Sequence, residues 1–204
     1  MKPLQCVPPT NPKLNERSKE VAVADICSGE VQSLIDQMVK IAGGKGHGKD
    51  SRQMVGLAAV QVGVPKRVIL IDTSADGSHK EQNLVVIINP QIITLSKQKE
   101  DGREGCWSTG KICGVVSRHI SLTLEGYDRR GEPVTMDATG FTARIAQHEV
   151  DHLDGIRFPD RIPESEPEKL HTVEPEEFES YRKNWSTWTN LCHRGDWHKL
   201  KEPA

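Results

Sequence analysis

The chain's 204 residues suffice for one domain with at most an appendage. Twenty-seven Lys and Arg against 29 Asp and Glu leave a net charge of −2, which excludes the basic footprint of a DNA or RNA binder. No run approaches the ~18 apolar residues of a membrane span and residues 1–10 lack the apolar stretch of a signal peptide, so the chain reads as cytoplasmic with no membrane contact. Its five Cys are an odd number without a CxxC pair, which argues for thiolate chemistry in a reducing compartment rather than a disulfide framework.

Residues 2–20 hold four Pro and no apolar period, as suits an extended arm laid over the domain surface. Between 28 and 42, Val31, Leu34, Ile35, Met38 and Ile41 recur at the spacing of one helical face, and Gly43 with Gly44 ends that helix. Residues 43–50 (GGKGHGKD) approach the phosphate-binding pattern GxxxxGK(S/T). They follow a helix rather than a strand, however, and put Asp50 where the hydroxyl belongs, so the reading is a loop. Residues 67–72 and 84–89 are short β-branched runs, and 119–127 with 132–137 read as a hairpin with one buried face.

At 139–154 the period switches to helical, with Phe141, Ile145 and Val150 apolar and Gly155 as the stop. Past Pro163, residues 164–179 hold seven acids and one Lys. Phe178, Tyr181, Trp185, Trp188 and Cys192 then follow at steps of three and four before Gly195, which predicts one C-terminal amphipathic helix. Without βαβ alternation the fold class is α+β: a mostly antiparallel sheet around the helix of 139–154, an N-terminal helix and a C-terminal helical extension. The domain division is 1–163, with the N-terminal arm, and 164–204, an acidic linker plus that helix. The stripe is too apolar to be left in water on a monomer, so packing on the domain is favoured. The alternative is a transient ribosome contact, for which Arg194, Lys199 and Lys201 against Asp196 make a thin basic patch.

Residues 148–152 spell HExxH. On a helix His148 and His152 lie one above the other and can share a metal ion, and Glu149, one step round, can reach a water there. Chance alone gives this pattern in roughly 2% of chains of such composition. A third ligand must come from elsewhere, and Cys106, in the run Glu104-Gly105-Cys106-Trp107-Ser108, offers a thiolate. Two His and one Cys leave a fourth position open, as catalytic sites do, whereas Cys113 as a fourth ligand would make a closed structural site. A buried inert Cys is the plain alternative for Cys106. Residues 55–61 (VGLAAVQ) place small side chains before a neutral amide, which suits either tight packing or close approach to a ligand.

In order, the segments 56–61 (GLAAVQ), 104–108 (EGCWS) and 147–152 (QHEVDH) match the three motifs of peptide deformylases, and the likeness runs over about residues 14–162. The sequence resembles that family, whose members remove the N-formyl group from new proteins. The resemblance implies that Cys106, His148 and His152 hold the metal, typically Fe²⁺, with Zn²⁺, Ni²⁺ or Co²⁺ able to replace it. It implies Glu149 as general base and then acid, and Gln61 with the Trp107 main-chain N–H as the oxyanion hole. Val55, Gly56, Glu104 and Gly105 would edge the groove that takes N-formyl-methionyl nascent polypeptides. Met54 stands where the family has Gly, and Trp107 where Leu is usual. An HExxH zinc endopeptidase and a non-catalytic metal-stapled binding protein are the alternatives, and neither explains Gln61.

Overall fold

The computed structural model describes residues 3–44, 53–75 and 81–202. Positions 45–50 of the glycine-rich segment lie outside them. Helix α1 (Gly29–Ala42) starts where the Ser28 hydroxyl accepts the Val31 N–H, and buries Val31, Leu34, Ile35, Met38 and Ile41 as their spacing predicts. Strands β1 (Gly56–Ala58), β2 (Val68–Asp72) and β3 (Leu84–Leu95) follow, then β4 (Lys99–Gly105), β5 (Ile112–His119), β6 (Ser121–Tyr127) and β7 (Pro133–Thr139). Helix α2 (Gly140–Leu153) precedes a short β8 (Leu170–Thr172), α3 (Phe178–Asn184) and α4 (Arg194–Lys201).

All strand pairings are antiparallel, and they form two sheets, ordered β1-β2-β3-β6-β7 and β4-β5-β8. Helix α2 packs on strands of both sheets, with Ala143, Ile145, Ala146, Val150 and Leu153 in one core with Ile69, Ile71 and Leu124. Helix α1 covers a second core built on Leu57, Val68, Leu70 and Ile88. No helix among the described residues is long and apolar enough to cross a membrane.

The β4 half of the β4–β5 hairpin had no signal in the strand patterns. β4 (KEDGREG) is an edge strand with mostly exposed side chains, so it shows no apolar alternation.

The C-terminal segment departs from expectation. The stripe does not ride on one helix: α3 stops after seven residues, a 3-10 turn takes Trp185–Thr187, and Gly195 lies inside α4. The cause is competition for backbone hydrogen bonds. Thr172 N–H donates to Asn190 O and Cys192 N–H to Leu170 O, so residues 190–192 pair with β8 instead of continuing a helix. The aromatic rings still pack inward. Tyr181 is buried with Cys113 and Val173, and Phe178, Trp185 and Trp188 lie against them. Residues 164–177 are more than a linker, because β8 completes the second sheet.

Candidate active site

Three pieces of chain converge. Helix α2 supplies His148 and His152, whose ring centroids lie 4.8 Å apart, edge to face. β4 ends at Gly105, and Cys106 is extended (φ −146°, ψ 147°) ahead of a 3-10 turn over Trp107–Thr109. Cys106 Sγ stands 3.4 Å from His152 Nε2, and one donor atom each from Cys106, His148 and His152 falls within 4.8 Å of the others. The third piece follows β1: the turn Ala59–Val62 carries Gln61, whose Nε2 lies 3.2 Å from both Cys106 Sγ and Ser108 Oγ. Gln61 Oε1 accepts the Ala58 N–H at 2.7 Å, which fixes the amide so that its NH₂ faces the sulfur.

Glu104 does not edge a groove with its side chain. It is 6% exposed, and both its oxygens are occupied. Oε1 accepts Arg118 Nε at 2.9 Å and Arg144 Nη1 at 3.0 Å, while Oε2 accepts Arg118 Nη2 at 2.9 Å and lies 2.8 Å from His148 Nδ1. Burial acts to raise its pKa, but the hydrogen bonds and charges of Arg118 and His148 prevail and hold the carboxyl well below the usual range. A carboxylate on Nδ1 orients the His148 ring and leaves Nε2 for the centre, the arrangement that supports metal-ligating histidines. Arg118 also reaches Asp151 on α2 at 2.5 Å, and Arg161 binds the same carboxylate. Neither Arg118, Arg144 nor Asp151 stood out in the sequence. The one available signal was an Arg close behind the apolar start of β5.

Glu149, next to His148 on α2, turns its carboxylate toward Gly56 of β1. It is 4% exposed, its Oε2 has no hydrogen-bond partner among the described residues, and burial pushes its pKa up to about 7. Gly56 makes room for it: a Cβ there would collide with Glu149 Oε1 and stand 2.8 Å from Ile145 Cγ2. Val55 is 41% exposed and Trp107 is 45% exposed, beside exposed Gly105. Met54 packs against the α1 core, its N–H on Ala42 O at 2.8 Å.

Cys113 is not the fourth ligand. It lies outside the donor cluster, its Sγ facing the open side of Gly105 among Val173 and Tyr181, and burial pushes its thiol up to about 12. The remaining donors are two imidazole nitrogens and one sulfur, a set that suits a divalent transition ion with one position left over. The buried Glu149 oxygen without a partner, on the residue next to His148, fits a water or substrate atom as its missing companion.

The polypeptide deformylase family model matches residues 3–168. The chain belongs to this family. A peptide deformylase from Desulforudis audaxviator is 40% identical over 158 residues, 77% of this chain and 92% of the relative. One from Halothermothrix orenii is 41% identical over 146 residues, 72% and 86% of the two. Among solved structures, the class I type b peptide deformylase of Acinetobacter baumannii superposes with a TM-score of 0.70 at 34% identity, covering 78% of this chain and 98% of that one. The same enzyme bound to Met-Ala-Ser gives 0.69 at 33% identity, with the same coverage. As a peptide deformylase, the chain is a metal-dependent hydrolase that removes the N-formyl group from nascent polypeptides.

Proposed function

We propose that Cys106, His148 and His152 hold Fe²⁺, with Zn²⁺, Ni²⁺ or Co²⁺ able to take its place, in a cytoplasmic enzyme that deformylates N-formyl-methionyl nascent polypeptides. The observation that carries this assignment is the Cys106–His148–His152 donor set with the Gln61 amide against its sulfur, and a buried Glu149 carboxylate with an open oxygen on the residue next to His148.

A divalent ion in that set supplies Lewis acidity and lowers the pKa of water towards neutrality. The chain's own residues do the rest. Glu149 takes a proton from the water that attacks the formyl carbon, and later gives a proton to the departing amine nitrogen, so the products are formate and a free N-terminal Met. Gln61 Nε2, aimed at the space beside the sulfur, and the Trp107 main-chain N–H donate to the formyl oxygen as it gains negative charge. Each such donor is worth ~10²- to 10³-fold in rate.

β1 and β4 are both edge strands, which present unpaired backbone groups. Arg144 caps the β4 carbonyls of Glu100 and Gly102, which leaves the stretch at Gly105 beside Cys106, together with Val55 and Gly56 at the start of β1, to receive an extended peptide. Met-Ala-Ser, found on the A. baumannii relative, is what this reaction leaves of formyl-Met-Ala-Ser. Of the basic side chains that could serve a ribosome contact, Arg194 donates to Pro159 O and Ile162 O and Lys201 to Asp160, whereas Lys199 stands exposed with Asp196 of its own helix 3.8 Å away.

Glu149→Gln tests the assignment. It leaves all three donors in place and removes proton transfer, so metal content should match wild type while kcat falls by ~10² or more. A metal-loaded Glu149→Gln protein with wild-type turnover would show that the proton moves elsewhere.

A further inference from the structure

Arg157 is fully buried (0% exposed), yet among the described residues no carboxylate hydrogen-bonds its guanidinium. Its acceptors are neutral and come from two separate parts of the chain, the arm and the Cys106 loop. Nη1 donates to Pro9 O of the arm at 2.7 Å and to Ser108 O of the Cys106 loop at 2.9 Å, and Nη2 donates to Asn15 Oδ1 at 2.8 Å. The Trp197 ring of α4 lies over the guanidinium, 4.5 Å from its centroid. Burying a cation without a paired anion is costly, so its persistence calls for a compensating task.

The contacts beyond Arg157 show what that task is. Ser108, held through its carbonyl, accepts Gln61 Nε2 on its hydroxyl. Gln61 is held from the other side by the arm, whose Val7 N–H donates to Gln61 O at 2.9 Å. Trp197 is itself fixed by Asp160, which accepts its Nε1 at 3.0 Å and also the Arg157 main-chain N–H at 3.1 Å. Asn15 Nδ2 reaches back to Lys201 O at 2.8 Å. Cys106 packs on the same cluster as Trp197, with Phe158 and Ile112.

We infer that Arg157 is a positioning residue for deformylation: through it the N-terminal arm and the C-terminal helix α4 hold the loop of residues 106–109, and with it the Gln61 amide, in working geometry. The inference rests on the oxyanion role proposed for Gln61. Helix α4 lies beyond residue 168, where the family match ends, so this chain recruits its own extension to brace a shared site. A planar fork can serve three acceptors in fixed directions, which a lysine ammonium cannot.

The test uses Arg157→Lys, Trp197→Leu and Trp197→Phe in the full chain. With metal restored and formyl-Met-Ala-Ser as substrate, Arg157→Lys should lower kcat about tenfold or more with KM within about twofold, because an interaction of the transition state is lost. Trp197→Leu should lower kcat in the same way by about threefold, and Trp197→Phe, which keeps the ring, should restore most of it. In metal-free protein, hydrogen exchange should quicken about tenfold at the Thr109 and Gly110 amides, which bond Cys106 O and Trp107 O, and stay unchanged in β2 and β3. Unchanged kcat in the folded variants overturns the inference. So does exchange that quickens equally in β2 and β3, which would mean a general loss of stability. If Arg157→Lys does not fold, the Trp197 pair decides by the same readings. Wild-type protein that releases no formate would instead strike at the assigned chemistry, while the exchange data would still report on the loop.

Discussion

Replacing Glu104 by Gln tests whether the buried charges behind His148 support the metal centre. The carboxylate receives four N–H groups, two on each oxygen. An amide can offer one oxygen only, so whichever way the new side chain turns, its NH₂ faces two donors: Arg118 with Arg144, or Arg118 with His148. The substitution also leaves Arg144 and half of Arg118 without a countercharge in a site only 5% to 11% exposed. Breaking a buried ion pair in this way costs about 3–5 kcal/mol. A domain of this size has ~5–15 kcal/mol of stability, so the variant should still fold. With a urea slope of about 2 kcal/mol/M, the midpoint of the metal-free protein should drop by about 1.5–2.5 M. His148 loses the charged partner that fixes its ring, so Zn²⁺ affinity, measured by competition with a chelator, should weaken by ~10- to 100-fold. An unchanged midpoint together with unchanged Zn²⁺ affinity would refute the reading of Glu104 as the support of His148.

Two further outcomes separate the ligand set from its surroundings. Cys106→Ser exchanges a soft thiolate for a poor ligand and should lose most bound metal, whereas Cys113→Ser, altered on the far side of Gly105, should keep it; elemental analysis of purified protein showing the reverse would place the sulfur ligand wrongly. Gly56→Ala drives a methyl into Glu149 Oε1, so kcat should fall by ~10²-fold for about 1–3 kcal/mol of lost stability, and wild-type kcat in Gly56→Ala would mean that the carboxylate need not sit where it does.

What the sequence made legible follows from where each signal is written. Helix α1 was plain because a half-buried helix records its burial every three or four residues, β2 and the first half of β3 because they are β-branched runs between turn residues, and β6 because its buried and exposed residues alternate. His148, Glu149 and His152 were legible because helical spacing alone sets their geometry. The task of the Glu104 side chain was not legible. Its partners, Arg118, Arg144 and His148, come from β5 and α2, and no local pattern links them to it. Arg157 gave no signal, since its role arises only when the arm, the Cys106 loop and α4 close around it. The single C-terminal helix was misread because apolar spacing is blind to the backbone groups of β8, which capture residues 190–192.

If the centre built by Cys106, His148, His152, Glu149 and Gln61 removes formyl groups from peptide N-termini with the help of a bound metal ion, substrate choice and metal content must track one another. The decisive assay follows formate release from formyl-Met-Ala-Ser beside acetyl-Met-Ala-Ser, using anaerobically purified protein whose metal content is measured on the same sample. Formate should appear in proportion to bound metal, vanish on chelation and return on adding Fe²⁺, with little or no cleavage of the acetylated peptide. Metal-loaded protein that leaves the formyl peptide intact, or that cuts internal peptide bonds of both substrates, would be incompatible with that assignment.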